Sequence, residues 1–120
     1  MKRIFYIYIS AFLVLLASCE KEPLFSFGFD STIKKFSDGI IIADIKGSYE
    51  KVYLHGIIRL SEGEVLINLM NANGIAVYTK TLKAPVDFRV CETFFAESGF
   101  WKLTYKSNQG VGEINLHLQN

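Results

Sequence analysis

Cysteine, histidine and proline are scarce in this sequence, and neither sign of charge dominates it. The 120 residues include two cysteines, two histidines and two prolines. So few soft ligands cannot form a four-ligand zinc site with any usual spacing. Thirteen basic residues balance twelve acidic ones, and no basic run exceeds two residues, so nucleic acid is not an expected partner. We therefore predict neither a metal site nor a cofactor.

Apolar residues, in contrast, are abundant. Half of the residues are hydrophobic and 21% are charged, which excludes a wholly disordered chain. The length is that of one domain. The sequence contains no glycine-rich phosphate loop, no aspartate-rich calcium loop and no Gly-x-Ser-x-Gly nucleophile motif. Composition and motifs together favour a small folded domain without catalytic machinery.

The first 19 residues have the organisation of an export signal. Lys2 and Arg3 precede an apolar run over residues 4–17. A membrane-spanning helix needs about 20 apolar residues, so this run is too short to span, and it fits the core of a signal peptide. The run ends at Leu16-Ala17-Ser18-Cys19, and polarity changes abruptly at Glu20. These residues resemble the lipobox of bacterial lipoproteins.

The lipoprotein resemblance implies both an address and an anchor. Residues 1–18 would be a signal peptide, helical in the precursor, and Cys19 would carry the lipid that holds the chain to a membrane. Residues 19–23 would be a tether and residues 24–120 the folded domain. The expected location is the bacterial cell envelope, with a lipid anchor in the outer membrane.

The remaining sequence has the periodicity of strands. Apolar and polar residues alternate over residues 51–60, and similar segments follow, which predicts seven or eight short strands. Turns are predicted at residues 61–64, 71–74 and 107–110, which are rich in Gly, Asn and Ser. Antiparallel strands that are polar on one face bury the other face, which predicts a β-sandwich. A small closed barrel is the alternative, because closure removes edges.

A second resemblance concerns residues 64–118. A strand, an Asn73-Gly74 turn and a Val77-Tyr78 strand are followed by Gly99-Phe100-Trp101-Lys102-Leu103, a turn and Gly112-Glu113-Ile114. This order resembles small immunoglobulin-like modules of Bacteroidetes secreted proteins of unknown function. The resemblance implies an immunoglobulin-like antiparallel sandwich.

The predicted core follows the apolar phase of each strand. The apolar run over residues 40–45, interrupted only by Asp44, predicts a buried strand. Trp101 is the largest residue of this predicted core. The other members are Ile42, Leu54, Ile58, Ile67, Leu69, Leu103, Ile114 and Leu116.

The residues that could support catalysis have simpler interpretations. His55 and His117 lie on the polar phase of their strands, which predicts solvated side chains. Cys91 lies on a predicted apolar strand, where a lone cysteine behaves as a small buried hydrophobe. An enzyme would require a pocket in which a histidine meets an acid or Cys91. We therefore predict that the protein is not an enzyme.

The outward residues form a candidate contact surface, because exposed aromatic residues beside arginine are typical of interfaces. The alternative is that a second layer or the N-terminal strand covers them. The prediction is a non-catalytic binding, adhesion or assembly module with a protein or glycan ligand. A glycan site would require an open ring face. The alternative is a small protease inhibitor that acts through an exposed loop at residues 92–98. The candidate interaction residues are Tyr53, His55, Ile57 and Arg59 on one strand, and Phe94 and Phe95 in that loop.

Overall fold

A computed structural model describes residues 26–46 and 50–120, and these residues are almost entirely strand, without any helix. No described segment is therefore a helix able to cross a membrane. The predicted signal helix, Cys19 and the tether lie outside the described residues. The six strands are β1 (Ser26–Ile33), β2 (Asp38–Ile45), β3 (Lys51–Met70), β4 (Ala76–Lys83), β5 (Val86–Phe95) and β6 (Gly99–Gln119).

The two longest strands, β3 and β6, form the centre of one antiparallel sheet and pair over most of their lengths, from the Tyr53–Gln119 pair to the Met70–Lys102 pair. The register shows one extra residue in the middle of each strand, Ser61 in β3 and Asn108 in β6. Gly63 and Gln109, close to these bulges, have left-handed φ angles of 71° and 60°. An extra residue switches which alternate positions point inward. The inward positions of β3 accordingly change from even-numbered residues before the bulge to odd-numbered residues after it.

The predicted turns at residues 61–64 and 107–110 are therefore wrong. Both segments continue a strand through a bulge, so the described chain has six strands rather than seven or eight. The residue types misled the prediction because glycine and asparagine favour bulges for the same reason that they favour turns: both tolerate positive φ. The predicted turn at residues 71–74 is present, between β3 and β4.

The sheet folds over at the bulges into two facing layers. The first layer contains β1, the second half of β6, the first half of β3 and β5; the second layer contains β2, the first half of β6, the second half of β3 and β4. Rings from the two layers meet. Phe29 of β1 packs edge-on against Tyr105 at 4.8 Å between ring centroids, and Phe94 of β5 contacts Trp101 at 6.3 Å. The fold is an all-β, sandwich-like arrangement of antiparallel strands.

The sheet is open. Among the described strands, no ladder joins β1 to β2 or β4 to β5, so the sheet does not close on itself. The closed-barrel alternative is therefore wrong. The fold-over instead buries one continuous apolar face between the two layers and leaves outer strands with an edge toward solvent.

The core lies between the layers and contains every predicted core residue except Ile42. Ile42 is 59% exposed, because β2 is an edge strand whose inward positions are Ala43 and Ile45. Three consecutive isoleucines gave no alternation from which the inward phase could be read. The predicted core residues that are buried are Leu54, Ile58, Ile67, Leu69, Trp101, Leu103, Ile114 and Leu116.

Candidate functional site

The outward side of the first layer carries the predicted contact residues of β3. Tyr53, His55, Ile57 and Arg59 occupy alternate positions, between inward residues such as Leu54. Alternate residues of a strand point to one face of a sheet, so these four side chains share the outer face of the first layer. Strands β5 and β6 flank this half of β3 and add their own outward side chains to the same face.

One row across this face brings both histidines and the cysteine together. His55 pairs with His117 of β6 on one side and with Cys91 of β5 on the other. The two imidazole ring centroids are 6.5 Å apart, and His117 Nδ1 lies 3.3 Å from Ser26 Oγ. Cross-strand partners point to the same face, so the three side chains form one contiguous row.

The prediction of a buried Cys91 is wrong, because the thiol is exposed. The inward position on this part of β5 is Val90, and Cys91 follows it on the outward phase. We expect the Cys91 thiol of the native protein to react with a maleimide without denaturant. Mass spectrometry of the labelled chain measures this. Labelling that begins only in denaturant would contradict the exposed position.

The next rows of the outer face carry charges of both signs. Arg59 pairs with Asp87 of β5, and its Nε lies 3.3 Å from Asp87 Oδ2. On the other side Arg59 pairs with Glu113 of β6, while Ile57 pairs with Arg89. The Arg59–Asp87 ion pair is exposed, and such pairs contribute at most about 1 kcal/mol to stability. These charges therefore affect which ligands the face can bind more than they affect the stability of the fold.

These rows surround a concavity of about 790 Å³. Three of the four predicted β3 residues line it, and Tyr53 does not. The lining residues of β1, β5 and β6 are not evident from local sequence patterns. The one signal is the alternation of Asp87, Arg89 and Cys91, which indicates an outward polar phase of β5. The lining includes His55, Ile57, Arg59, Arg89, Asp30 and Glu113.

Phe94 and Phe95 do not belong to this concavity, and they are not in a loop. Both lie in β5, where Phe94 is partly buried against the core and Phe95 is 84% exposed. The prediction of an exposed loop at residues 92–98 is therefore wrong. Residues 92–95 are strand, and only residues 96–98 join β5 to β6. This short connection is tied down, because Trp101 Nε1 donates to the Glu97 carbonyl oxygen at 2.7 Å.

The described residues contain no group of three or more His, Cys, Asp or Glu side chains placed to hold a metal ion. Burial, and secondarily the negative charge of Glu92, raise the pKa of the Tyr78 phenol, but this ring does not line the concavity. No protein-family model matches the chain, and no curated protein matches it.

Proposed function

We propose that this chain is an envelope lipoprotein, anchored through Cys19, whose immunoglobulin-like domain is a non-catalytic module that binds a protein ligand. The observation that carries the binding proposal is the concavity on the outer face of the first layer. His55, Ile57 and Arg59 of one strand line it together with charged residues from neighbouring strands. The binding is assigned to this face because its curvature and its mixed charge occur together there.

The chemistry of the lining favours a protein over a glycan. Arg59 and Arg89 provide donors, Asp30 and Glu113 provide acceptors, and Ile57 adds an apolar contact between them. Arginine beside apolar groups is characteristic of protein interfaces. Glycan sites typically present an open aromatic face, whereas no aromatic ring other than the His55 imidazole is among the described lining residues.

The remaining candidate rings give a glycan no platform in this concavity. Trp101 is 1% exposed, and Phe94 packs against it. Tyr53 is exposed but does not line the concavity. A protein ligand with side chains of both charges therefore suits the face better than a sugar.

The position of β1 is compatible with a lipid anchor. Ser26 begins β1, and Cys19 precedes it by seven residues. A chain spans at most about 3.6 Å per residue, so the tether would hold the domain within about 25 Å of its anchor. Ser26 pairs with Gln119 at the end of the first layer that is farthest from the bulges. A membrane at that end would leave the concavity, which lies on the outer face of the layer, open to a partner.

The anchor is tested by intact mass of the protein from a bacterial host that processes lipoproteins. We expect a chain that begins at Cys19 and carries acyl mass, and we expect Cys19→Ala to lose both features. Protease treatment of whole cells then distinguishes a surface location from a periplasmic one. An unacylated mature chain released into the medium would contradict the lipoprotein proposal.

The binding face is tested by a photo-crosslinking residue at Ile57 in the full chain in its host. Thr81 is the matched control, because it is an exposed strand residue of β4 in the second layer. We expect one discrete adduct from position 57, its loss when Arg89→Glu is added, and no such adduct from position 81. Adducts of the same pattern from both positions would show that the concavity is not the binding face.

A further inference from the structure

Strand β2 is an open edge of the second layer. It pairs with β6 on one side, and no described strand pairs with its other side. An edge strand presents N–H and C=O groups that can form a ladder with another chain. Residues Asp38–Ile45 contain no proline, and their register with β6 is regular, so two common protections against edge pairing are missing.

The centre of the outward side of this edge is apolar. Ile40 and Ile42 are each 59% exposed, and Phe100 of the adjacent strand is 68% exposed. Phe100 pairs with Asp44 while Ile42 pairs with Lys102, so Phe100 is a diagonal neighbour of Ile42. A second strand added at this edge would cover the isoleucines and extend the ladder in one step.

We propose that β2 pairs with β2 of a second copy of this chain, antiparallel and centred on Ile42, so that the two second layers form one continuous sheet. The outward positions are Asp38, Ile40, Ile42 and Asp44, followed by Lys46. Lys46 Nζ lies 2.9 Å from Asp44 Oδ2, which places the two side chains on the same face.

The charges on these positions select the register. With the two-fold axis at Ile42, Asp38 faces Lys46 of the second copy at both ends of the ladder, and Ile42 faces its counterpart. With the axis at Ile41, Asp38 would face Asp44 at both ends, which is destabilising. Only the first register combines opposite charges at the ends with isoleucine at the centre. A two-fold contact of this kind is self-complementary and closed, as is usual in homodimers.

Cysteine crosslinking in whole cells tests the register. The full chain carries Cys91→Ser, because Cys91 is exposed, and receives either Ile42→Cys or Ile40→Cys before mild oxidation. Directly opposite Cα atoms lie about 4.5–5.5 Å apart, within reach of a disulfide. We therefore expect a covalent dimer from Ile42→Cys.

Ile40→Cys is the matched control, since Ile40 and Ile42 are equally exposed. In the proposed register Ile40 faces Asp44, so its two copies are separated by four residues, or about 14 Å, and should not crosslink. Equal crosslinking of both variants, crosslinking of neither, or attachment of Ile42→Cys to a different protein would each overturn the proposal.

Charge exchange tests the ends of the ladder independently. Asp38→Lys places like charges opposite each other at both ends, and we expect the dimer dissociation constant of the purified full chain to rise about tenfold. The double variant Asp38→Lys with Lys46→Asp restores opposite charges across the ladder and should recover part of that loss, since it also removes the Lys46–Asp44 ion pair within each strand. Sedimentation velocity measures the dimer fraction. A double variant that dissociates as much as the single one would overturn the register.

Discussion

Replacing Trp101 with alanine is expected to remove most of the stability of the domain. Trp101 is 1% exposed between the layers, and its ring contacts Phe94 of the opposite layer. Removing a buried tryptophan costs about 3–5 kcal/mol, while small domains have total stabilities near the lower end of about 5–15 kcal/mol. The variant should therefore lose most of its free energy of unfolding, as measured by chemical denaturation followed by circular dichroism.

Two further variants separate burial from the hydrogen bond. Phe95 is 84% exposed on β5, and Phe95→Ala should change the free energy of unfolding by no more than about 0.5 kcal/mol. Trp101→Phe keeps an apolar ring but leaves the Glu97 carbonyl oxygen without the indole donor. Its cost should fall between those of the other two. A Trp101→Ala protein as stable as Phe95→Ala would contradict the inward position of Trp101.

Regular alternation in the sequence was enough to predict much of the core. In β3 the residues from Val52 to Leu60 alternate cleanly, and the inward phase was predicted correctly. In β2 the consecutive isoleucines satisfy either phase, so periodicity does not reveal that Ile42 lies outward. Local periodicity identifies a strand, but pairing with a neighbour decides which phase is buried when both phases are apolar.

The sequence predicts the part of the candidate site that lies on β3, but not the parts on the neighbouring strands. Tyr53, His55, Ile57 and Arg59 share a face because of their spacing alone. Their cross-strand partners, such as Arg89, come from segments distant in sequence, and local patterns do not encode which segments pair. The pairing was further obscured because the two bulges in β3 and β6 were predicted as turns, which divided each long strand into two.

Replacing Gly112 with alanine is expected to disrupt the centre of the sheet. Gly112 pairs with Leu60 beside the bulge of β3 and with Ile33 of β1. An added Cβ would collide with the Arg59 carbonyl group, which is backbone of the neighbouring strand and is held by its own ladder. Relief of the clash requires β3 and β6 to separate where the sheet folds over. We expect a loss of about 3 kcal/mol or more, measured by denaturation.

Gly74→Ala is the control that separates this contact from backbone freedom. Gly74 has a φ of 78° in the turn between β3 and β4, and an added Cβ there would have no atom within 4 Å. The cost at Gly74 should be the conformational strain alone, about 1–2 kcal/mol. Gly112 has no left-handed φ, so its larger expected cost must come from the approach of two backbones. A smaller loss of stability for Gly112→Ala than for Gly74→Ala would contradict this. It would mean that the backbones of β3 and β6 lie farther apart beside the bulge than the structure places them.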